Sequence, residues 1–548
     1  MNKIRLSVLV AVVFISNVVI AQTVEQGKKF LYYRRFKSAK ETFEKIIASN
    51  PNNIDAVYWL GQTLLVQKDS ASALDLYRKM LVTNGNAPLL LVGMGELELM
   101  ENKLADAKQR FETAISLTKA KDINVLNAVG SANTNTWSGD PNYAIEKLNL
   151  ALQVKNFNNP STYIILGDAY HKLGDGGNAV TSYQKALTLD PKLAEAKCRI
   201  GLIYLSQNNK DYFIPAFEES IQLDPSYGPA YYQLYTYYYY KDINKSKDYF
   251  DKYLANADSD PSNDYDKTSI LYASQRYDES INVAKTFIST LGDKADPRYY
   301  KLIAYCYDAK GDSVDAKSFI DQYFAKQKPT DFVPKDYSFR AQVLSKFPGN
   351  DAEVNKSYQM AIDKDTSYEN KMDLIKEASD LAKKTGNKSA NAYWLGQLYS
   401  TRKVQTNTDL YNWGYSNYQA GNYKTSDSIF CGIYQTKYPN EIFGYLWCAK
   451  AKLAEDTTME SGIVVPAWEK LAQMSLTIDS VKYKATAIQT YSYLAAYYSN
   501  IKKDKPTAIS YLQKVLDLDP TNADALRYIE MLKKPAKQPA AKPKTNGH

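Results

Sequence analysis

The sequence predicts an all-α chain of helical hairpins stacked in a row, and three tracks of residues predict it. Gly27, Gly61 and Gly95 recur every 34 residues. Ala39, Ala73 and Ala107 follow them by 12 positions, and Phe43, Tyr77 and Phe111 follow by 16. Residue types locked in one phase mark an internal repeat whose unit is a single supersecondary motif. A single globular fold gives no reason for the locking. Stacked repeats work through an extended surface, so the expected activity is binding rather than catalysis.

The unit is most complete between Pro160 and Pro191. Tyr163, Leu166, Gly167 and Tyr170 share one face of a first helix at i, i+3, i+4, i+7 spacing. Leu173-Gly174-Asp175-Gly176-Gly177 breaks that helix. Ala179, Tyr183, Ala186 and Leu187 form the face of a second helix, which ends at Leu189-Asp190-Pro191 because proline cannot continue it. Gly167 and Ala179 allow close approach of the two backbones, and Tyr183 fills the space towards the following hairpin.

These residues resemble the tetratricopeptide repeat family. Tyr163, Leu166, Gly167, Tyr170, Ala179, Tyr183, Ala186 and Pro191 occupy its signature positions. The resemblance implies a right-handed superhelical solenoid with its concave wall lined by first helices. The next unit keeps Gly201, Tyr204, Phe217 and Pro225, with Phe213 where alanine is expected. Gly130 and Ala144 open a unit with a longer inter-helix turn at Ser138-Gly139-Asp140-Pro141. Tyr231, Leu234, Tyr238 and Phe250 continue the pattern, with Tyr235 in place of the small residue. Between Ser259 and Gln405 the spacing drifts around Pro329, Pro334 and Pro348. It returns at Trp413, Gly414, Tyr418, Ser426 and Phe430, and again at Tyr491, Leu494, Ala495, Tyr498, Leu512 and Pro520. The expected total is about a dozen hairpins.

The expected organisation is a signal peptide at 1–21, an N-terminal array at 22–258, a divergent helical segment at 259–405 and C-terminal hairpins with a capping helix at 406–534. Residues 535–548, rich in Lys, Pro and Ala, are expected to form a disordered tail. Lys3 and Arg5 precede the apolar run Leu6–Ile20, and Val19-Ile20-Ala21 fits a cleavage site. No cysteine follows that site, so the expected product is an exported, non-lipidated protein of a bacterial periplasm or outer-membrane face. No other segment is apolar enough to span a membrane. In the capping helix Ala525, Leu526, Ile529 and Leu532 are expected inward, with Asp524, Arg527, Glu530 and Lys533 outward.

Of the net charge of +8, Lys3 and Arg5 supply +2 and the terminal lysines Lys533, Lys534, Lys537, Lys542 and Lys544 supply +5, leaving +1 for the repeats. A nearly neutral body argues against nucleic acid, which needs clustered cations. The basic tail is read as a solvated terminus, with weak contact to an anionic surface as the alternative.

Catalytic and metal-binding patterns are absent from the sequence. Only His171 and His548 are histidines, and neither a zinc motif nor a phosphate loop occurs. No cofactor is expected. Cys198 and Cys306 are expected as buried small residues, while Cys431 and Cys448, on neighbouring helices of consecutive hairpins, form the candidate disulfide.

Applied to the family geometry, position counting places Ser161, Ile164, Asp168, His171 and Lys172 on the concave side, then Glu195, Cys198, Leu202, Leu205 and Ser206, then Pro229, Tyr232, Thr236, Tyr239 and Tyr240. Tyr411, Tyr415 and Tyr418 take equivalent places near the C-terminus. With 47 tyrosines in the chain, some rings are expected on the surface as recognition groups. As recognition groups, Tyr232→Ala with Tyr239→Ala would abolish capture of a partner with the melting temperature nearly unchanged, whereas rings that simply replace leucine between hairpins would show a large melting loss. Tyr58, Gln62, Val92 and Glu96 occupy the places of the family's carboxylate clamp, whose Lys, Asn and Arg are missing. The expected function is a non-enzymatic scaffold that holds an envelope protein or peptide segment. Glycan binding through exposed tyrosines is the alternative.

Overall fold

The computed structural model describes residues 23–534; the expected signal peptide and the tail at 535–548 lie outside them. The described residues are helical, without a strand, and pair into fourteen hairpins followed by the lone helix Ala523–Lys533. They divide into two compact units, Met1–Ala284 and Lys285–His548. The first contains hairpins at 24–49, 54–83, 88–117, 123–152, 160–189, 194–223 and 228–256, and the division falls within an eighth at 261–291. The second continues with 298–326, 334–364, 368–401, 407–437, 442–479 and 484–518. Drifting spacing between Ser259 and Gln405 therefore alters loop lengths without ending the hairpin pattern. Pro334 occupies the first turn of the helix Pro334–Leu344, where its missing N–H costs nothing, and Pro348 lies in the following turn.

Six hairpins are closed by the glycine and aromatic tracks read from the sequence. A Cβ on Gly95 would lie 2.5 Å from the Phe111 ring, and one on Gly201 would lie 2.6 Å from Phe217. Gly27 meets Phe43, Gly61 meets Tyr77, Gly167 meets Tyr183 and Gly414 meets Phe430 in the same way. The ring of the second helix thus lies on the bare backbone of the first helix in its own hairpin. Tyr77 also reaches Gly93 of the next hairpin, so the expected filling towards the following unit is half of the arrangement. In the fourth hairpin the longer turn shifts the partner, and Gly130 meets Leu148.

Where serine takes the alanine place, its hydroxyl donates to a carbonyl of the facing helix. Ser246 bonds Tyr235 O at 2.9 Å, Ser280 bonds Thr268 O at 3.1 Å and Ser426 bonds Gly414 O at 3.0 Å. The tolerated residue is therefore small, and polar only when that carbonyl is within reach. Phe213, the exception, is fully buried with its ring edge-on to Tyr237 at 4.9 Å.

In the C-terminal unit the helix between Asn422 and Tyr438 contains a π-helical stretch, Ser428–Tyr434. Cys431, within that stretch, is bonded to Cys448 of the next hairpin across a Cα separation of 4.9 Å. Asp427 lies beside the two sulfurs, but sulfurs joined to each other leave no thiolate pair for a metal. Cys198 and Cys306 are both buried and take no part in this bond. The final helix buries Ala525 and Ile529, but Leu526 turns outward at 48 % exposure, with Tyr528 and Met531 also exposed. The expected inward place of Leu526 is thus corrected: one stripe of this short helix reaches the preceding hairpin, and Leu526 lies beside that stripe.

Candidate ligand cavity of the N-terminal unit

About half of the second helices among the described residues carry their own N-terminal cap. Asp69 accepts from the Ser72 amide, Asp175 from Asn178 and Asp242 from Lys245. The first hairpin has Arg35 at that place, and its side chain makes no cap. Asp258, at the end of the seventh hairpin, supplies the missing carboxylate. Its Oδ2 accepts the Ser38 amide at 2.9 Å, while Oδ1 accepts the Ser38 hydroxyl at 2.6 Å and Arg35 Nε at 3.1 Å. Alongside, the Tyr33 hydroxyl donates to Asp224 at 2.9 Å, and the Tyr32 ring packs on Tyr227 with centroids 5.0 Å apart. The N-terminal unit therefore curls until its first hairpin meets its sixth and seventh.

Burial by itself would raise the Asp258 carboxyl, but the Ser38 and Arg35 donors hold it below the ordinary value of 3.8. A carboxyl depressed by folding contributes stability above its unfolded value and loses it as pH falls through the lower folded value. The seam is thus expected to stay shut at pH 5 and to open only in stronger acid. Asp258→Ala should cost about 1–2 kcal/mol, the range of a lost N-cap, and accelerate amide exchange at Ser38 and Ala39 about tenfold. Unchanged exchange at both amides would show that the cap is not what closes the seam.

Behind the seam lies a cavity of about 760 Å³. Arg34, Phe36, Lys37 and the end of the helix Ile54–Val66 form one wall, and Cys198, Leu202, Tyr227, Tyr232, Gln233 and Tyr253 form the other. The Tyr232 and Tyr253 rings meet edge-on at 5.1 Å, giving the far wall an aromatic floor. Burial pushes the Cys198 thiol up to about 12, so it is an inert wall atom at neutral pH. Arg199 is consumed internally, donating to Asp168 at 2.6 Å and to Glu195 at 2.9 Å. The two acids of the lining are also engaged: Asp258 holds the seam, and Asp260 caps the next helix through the Ser262 amide at 2.7 Å. Arg34 and Lys37 are exposed and carry no ion pair.

The structure gives the residues expected on the concave side different places. Cys198, Leu202, Pro229 and Tyr232 line the cavity. Asp168 and Lys172 serve their neighbouring repeats instead. Asp168 accepts the Tyr183 hydroxyl at 2.8 Å as well as Arg199, and burial pushes its carboxyl up against the opposing pull of Arg199. Lys172 Nζ donates to Asn133 O at 2.7 Å, Thr136 O at 2.6 Å and Gly139 O at 2.9 Å, pinning the long turn of the fourth hairpin. His171 is exposed.

The tyrosine run is mostly structural. Tyr237 packs on Phe213, Tyr238 stacks on Tyr249 and the Tyr239 hydroxyl donates to Ser269 O at 2.8 Å. Tyr240 alone in this run is open, at 86 % exposure. Tyr232 packs on Tyr235 and Tyr253. Replacing Tyr232 and Tyr239 together would therefore lower the melting temperature, the outcome that goes with rings packed between hairpins. In the C-terminal unit Tyr411, Tyr415 and Tyr418 converge on one ring, Trp447, at 6.4, 4.8 and 5.2 Å. Position counting missed Arg34, Lys37 and Asp258. The one trace of them is Arg35 where an aspartate cap recurs elsewhere.

The hairpins of the N-terminal unit, with a cavity lined by residues of both helices and their turns, define a helical-repeat fold. A tetratricopeptide repeat profile matches residues 24–88, a TPR repeat profile matches 167–208 and a further tetratricopeptide repeat profile matches 194–227. The TPR repeat-containing protein MJ1428 of Methanocaldococcus jannaschii is 28 % identical over 205 residues, covering 35 % of this chain and 34 % of its own length. The chain thus spans about a third of the curated relative that it matches. Among solved structures, the C-terminal part of a TPR repeat-containing protein from Cytophaga hutchinsonii is 27 % identical. It covers 48 % of this chain and 98 % of its own, with a TM-score of 0.25. Yeast Tom70 is 12 % identical over 76 % of this chain and 98 % of its own, with a TM-score of 0.36. YrrB, described as a TPR protein with an unusual peptide-binding site, is 20 % identical over 35 % of this chain and 96 % of its own, with a TM-score of 0.23. Residues 24–88 and 167–227 of this chain are thus tetratricopeptide repeats.

Proposed function

We propose that this chain is a non-enzymatic adaptor of the bacterial cell envelope that holds a partner protein or peptide segment in the cavity of its N-terminal unit. The cavity carries the reading, since its walls stand on packed helices and their turns that are folded before binding, so little ordering entropy opposes capture. Its size falls within the range of ordinary ligand sites. The basic and apolar pattern of Met1–Ala21 supports export, and the Cys431–Cys448 bond agrees with an oxidising compartment. None of the described helices is long and apolar enough to cross a membrane.

Glycan capture is less well supported. The most exposed large rings, Trp137 at 98 % and Tyr240 at 86 %, stand in different hairpins and do not make a stacking platform. Affinity capture from envelope extracts, with the full chain and a Leu202→Arg variant side by side, tests the proposal. Partners retained by the parent chain should be lost from the variant, whose longer side chain enters the cavity. Identical retention by both would place the partner elsewhere and defeat the proposal.

A further inference from the structure

The lining of the cavity is asymmetric in what it leaves unused. Both of its carboxylates are engaged, Asp258 by Ser38 and Arg35 and Asp260 by the Ser262 amide. Arg199 is neutralised by Asp168 and Glu195. The unused groups are the cations Arg34 and Lys37 and the side-chain amides of Gln67 and Gln233, none of which has a side-chain hydrogen bond or ion pair among the described residues. A binding site whose spare charges are all positive selects an anion.

We infer that the cavity is a site for an acidic peptide segment, with carboxylate side chains at Arg34 and Lys37 and a neighbouring apolar or aromatic side chain on the rings of Tyr232 and Tyr253. This inference rests on the proposed peptide-capture function and adds the chemistry of the captured segment. A peptide fits better than the other polyanions. Two free cations fall well short of the phosphate neutralisation that nucleic acid requires. The spare amides pair with the alternating donors and acceptors of an extended backbone. The paired rings offer an apolar face to a side chain, as aromatic anchors do in interfaces.

Arg34 has a second property that suits this role. Its backbone sits at φ 57°, in the left-handed region, where it ends the first helix of the first hairpin. It is therefore held by the turn, beside the seam that Asp258 closes. Exposed ion pairs are individually weak, so two of them amount to about a tenfold preference.

The test uses the full chain and two blocked peptides, acetyl-Asp-Phe-Glu-Leu-Asp-amide and its isostere acetyl-Asn-Phe-Gln-Leu-Asn-amide, by calorimetric titration at low salt. Blocked ends exclude recognition of a terminal carboxylate. The acidic peptide should bind about tenfold more tightly, and the advantage should shrink to less than about threefold in half-molar salt. It should shrink likewise in a variant with Arg34→Asn and Lys37→Gln. Asparagine tolerates the left-handed backbone, and both sites are exposed, so this variant keeps its fold. Equal affinity for the two peptides, with both abolished by Leu202→Arg, would overturn the charge selection and leave peptide capture standing. Binding of neither peptide, with an oligogalacturonate bound instead and released by Leu202→Arg, would overturn both. Acidic preference that survives the double variant would overturn the assignment to Arg34 and Lys37.

Discussion

Tyr77→Ala should destabilise the second and third hairpins by about 3–5 kcal/mol, the cost of truncating a buried aromatic side chain. The ring is fully buried and rests on Gly61 of its own hairpin and Gly93 of the next. Because both neighbours are bare backbone, no side chain can move in to fill the space. The hydroxyl adds a bond to Tyr58 O at 2.9 Å, a smaller contribution. Tyr77→Phe should therefore cost only about 1 kcal/mol. In a repeat array, energy passes chiefly between nearest neighbours, so the damage should be local. Hydrogen exchange is the appropriate measurement. Protection should fall at amides of Ile54–Val66 and Pro88–Met100 and remain at those of the fifth hairpin. A loss below about 1 kcal/mol would contradict the packing account.

Glu96→Gln should act in the opposite direction. The side chain is 7 % exposed, and burial pushes its carboxyl up to about 7, opposed by the Gln62 amide, which donates at 2.6 Å. A carboxyl with a raised folded pKa keeps its proton in the native state where the unfolded chain has released it. Stability therefore falls as pH rises from about 4.5 to about 7 and levels off above that. The shift corresponds to about 3 kcal/mol, which the neutral glutamine avoids. The variant should melt higher than the parent at pH 8, and the two should converge near pH 4.5. A variant no more stable than the parent at pH 8 would mean that the interior holds the Glu96 charge without penalty and that folding does not raise its carboxyl.

The helical architecture was legible because its cause repeats. Gly61 with Tyr77 and Gly167 with Tyr183 are contacts at a fixed short spacing, and a contact that recurs at one spacing leaves a period in the sequence. The side of the helix was legible only in part: Cys198, Leu202, Pro229 and Tyr232 line the cavity, while Glu195, Leu205, Ser206 and Thr236, counted onto the same side, do not. What a neighbouring repeat does with a side chain is not periodic. Asp168 and Lys172 were read as open recognition groups, yet one is held by Arg199 and the other binds three carbonyls of the preceding hairpin. The seam is the extreme case. Asp258 and Ser38 are 220 positions apart, and nothing local to either announces the other. The uncapped Arg35 signalled only that a partner was missing.

The clasp at Asp258 also bears on how this protein can change over generations. A row of like modules open at both ends can be lengthened or shortened by one copy, and each remaining copy keeps the neighbours it needs. Once the first module grips the seventh, the tally between them is fixed. Duplication or loss of a single 34-residue copy there would carry the aspartate away from the amide that it caps and dismantle the cavity. Lineages of this chain should therefore vary in length after residue 258 and hold a constant number of modules before it.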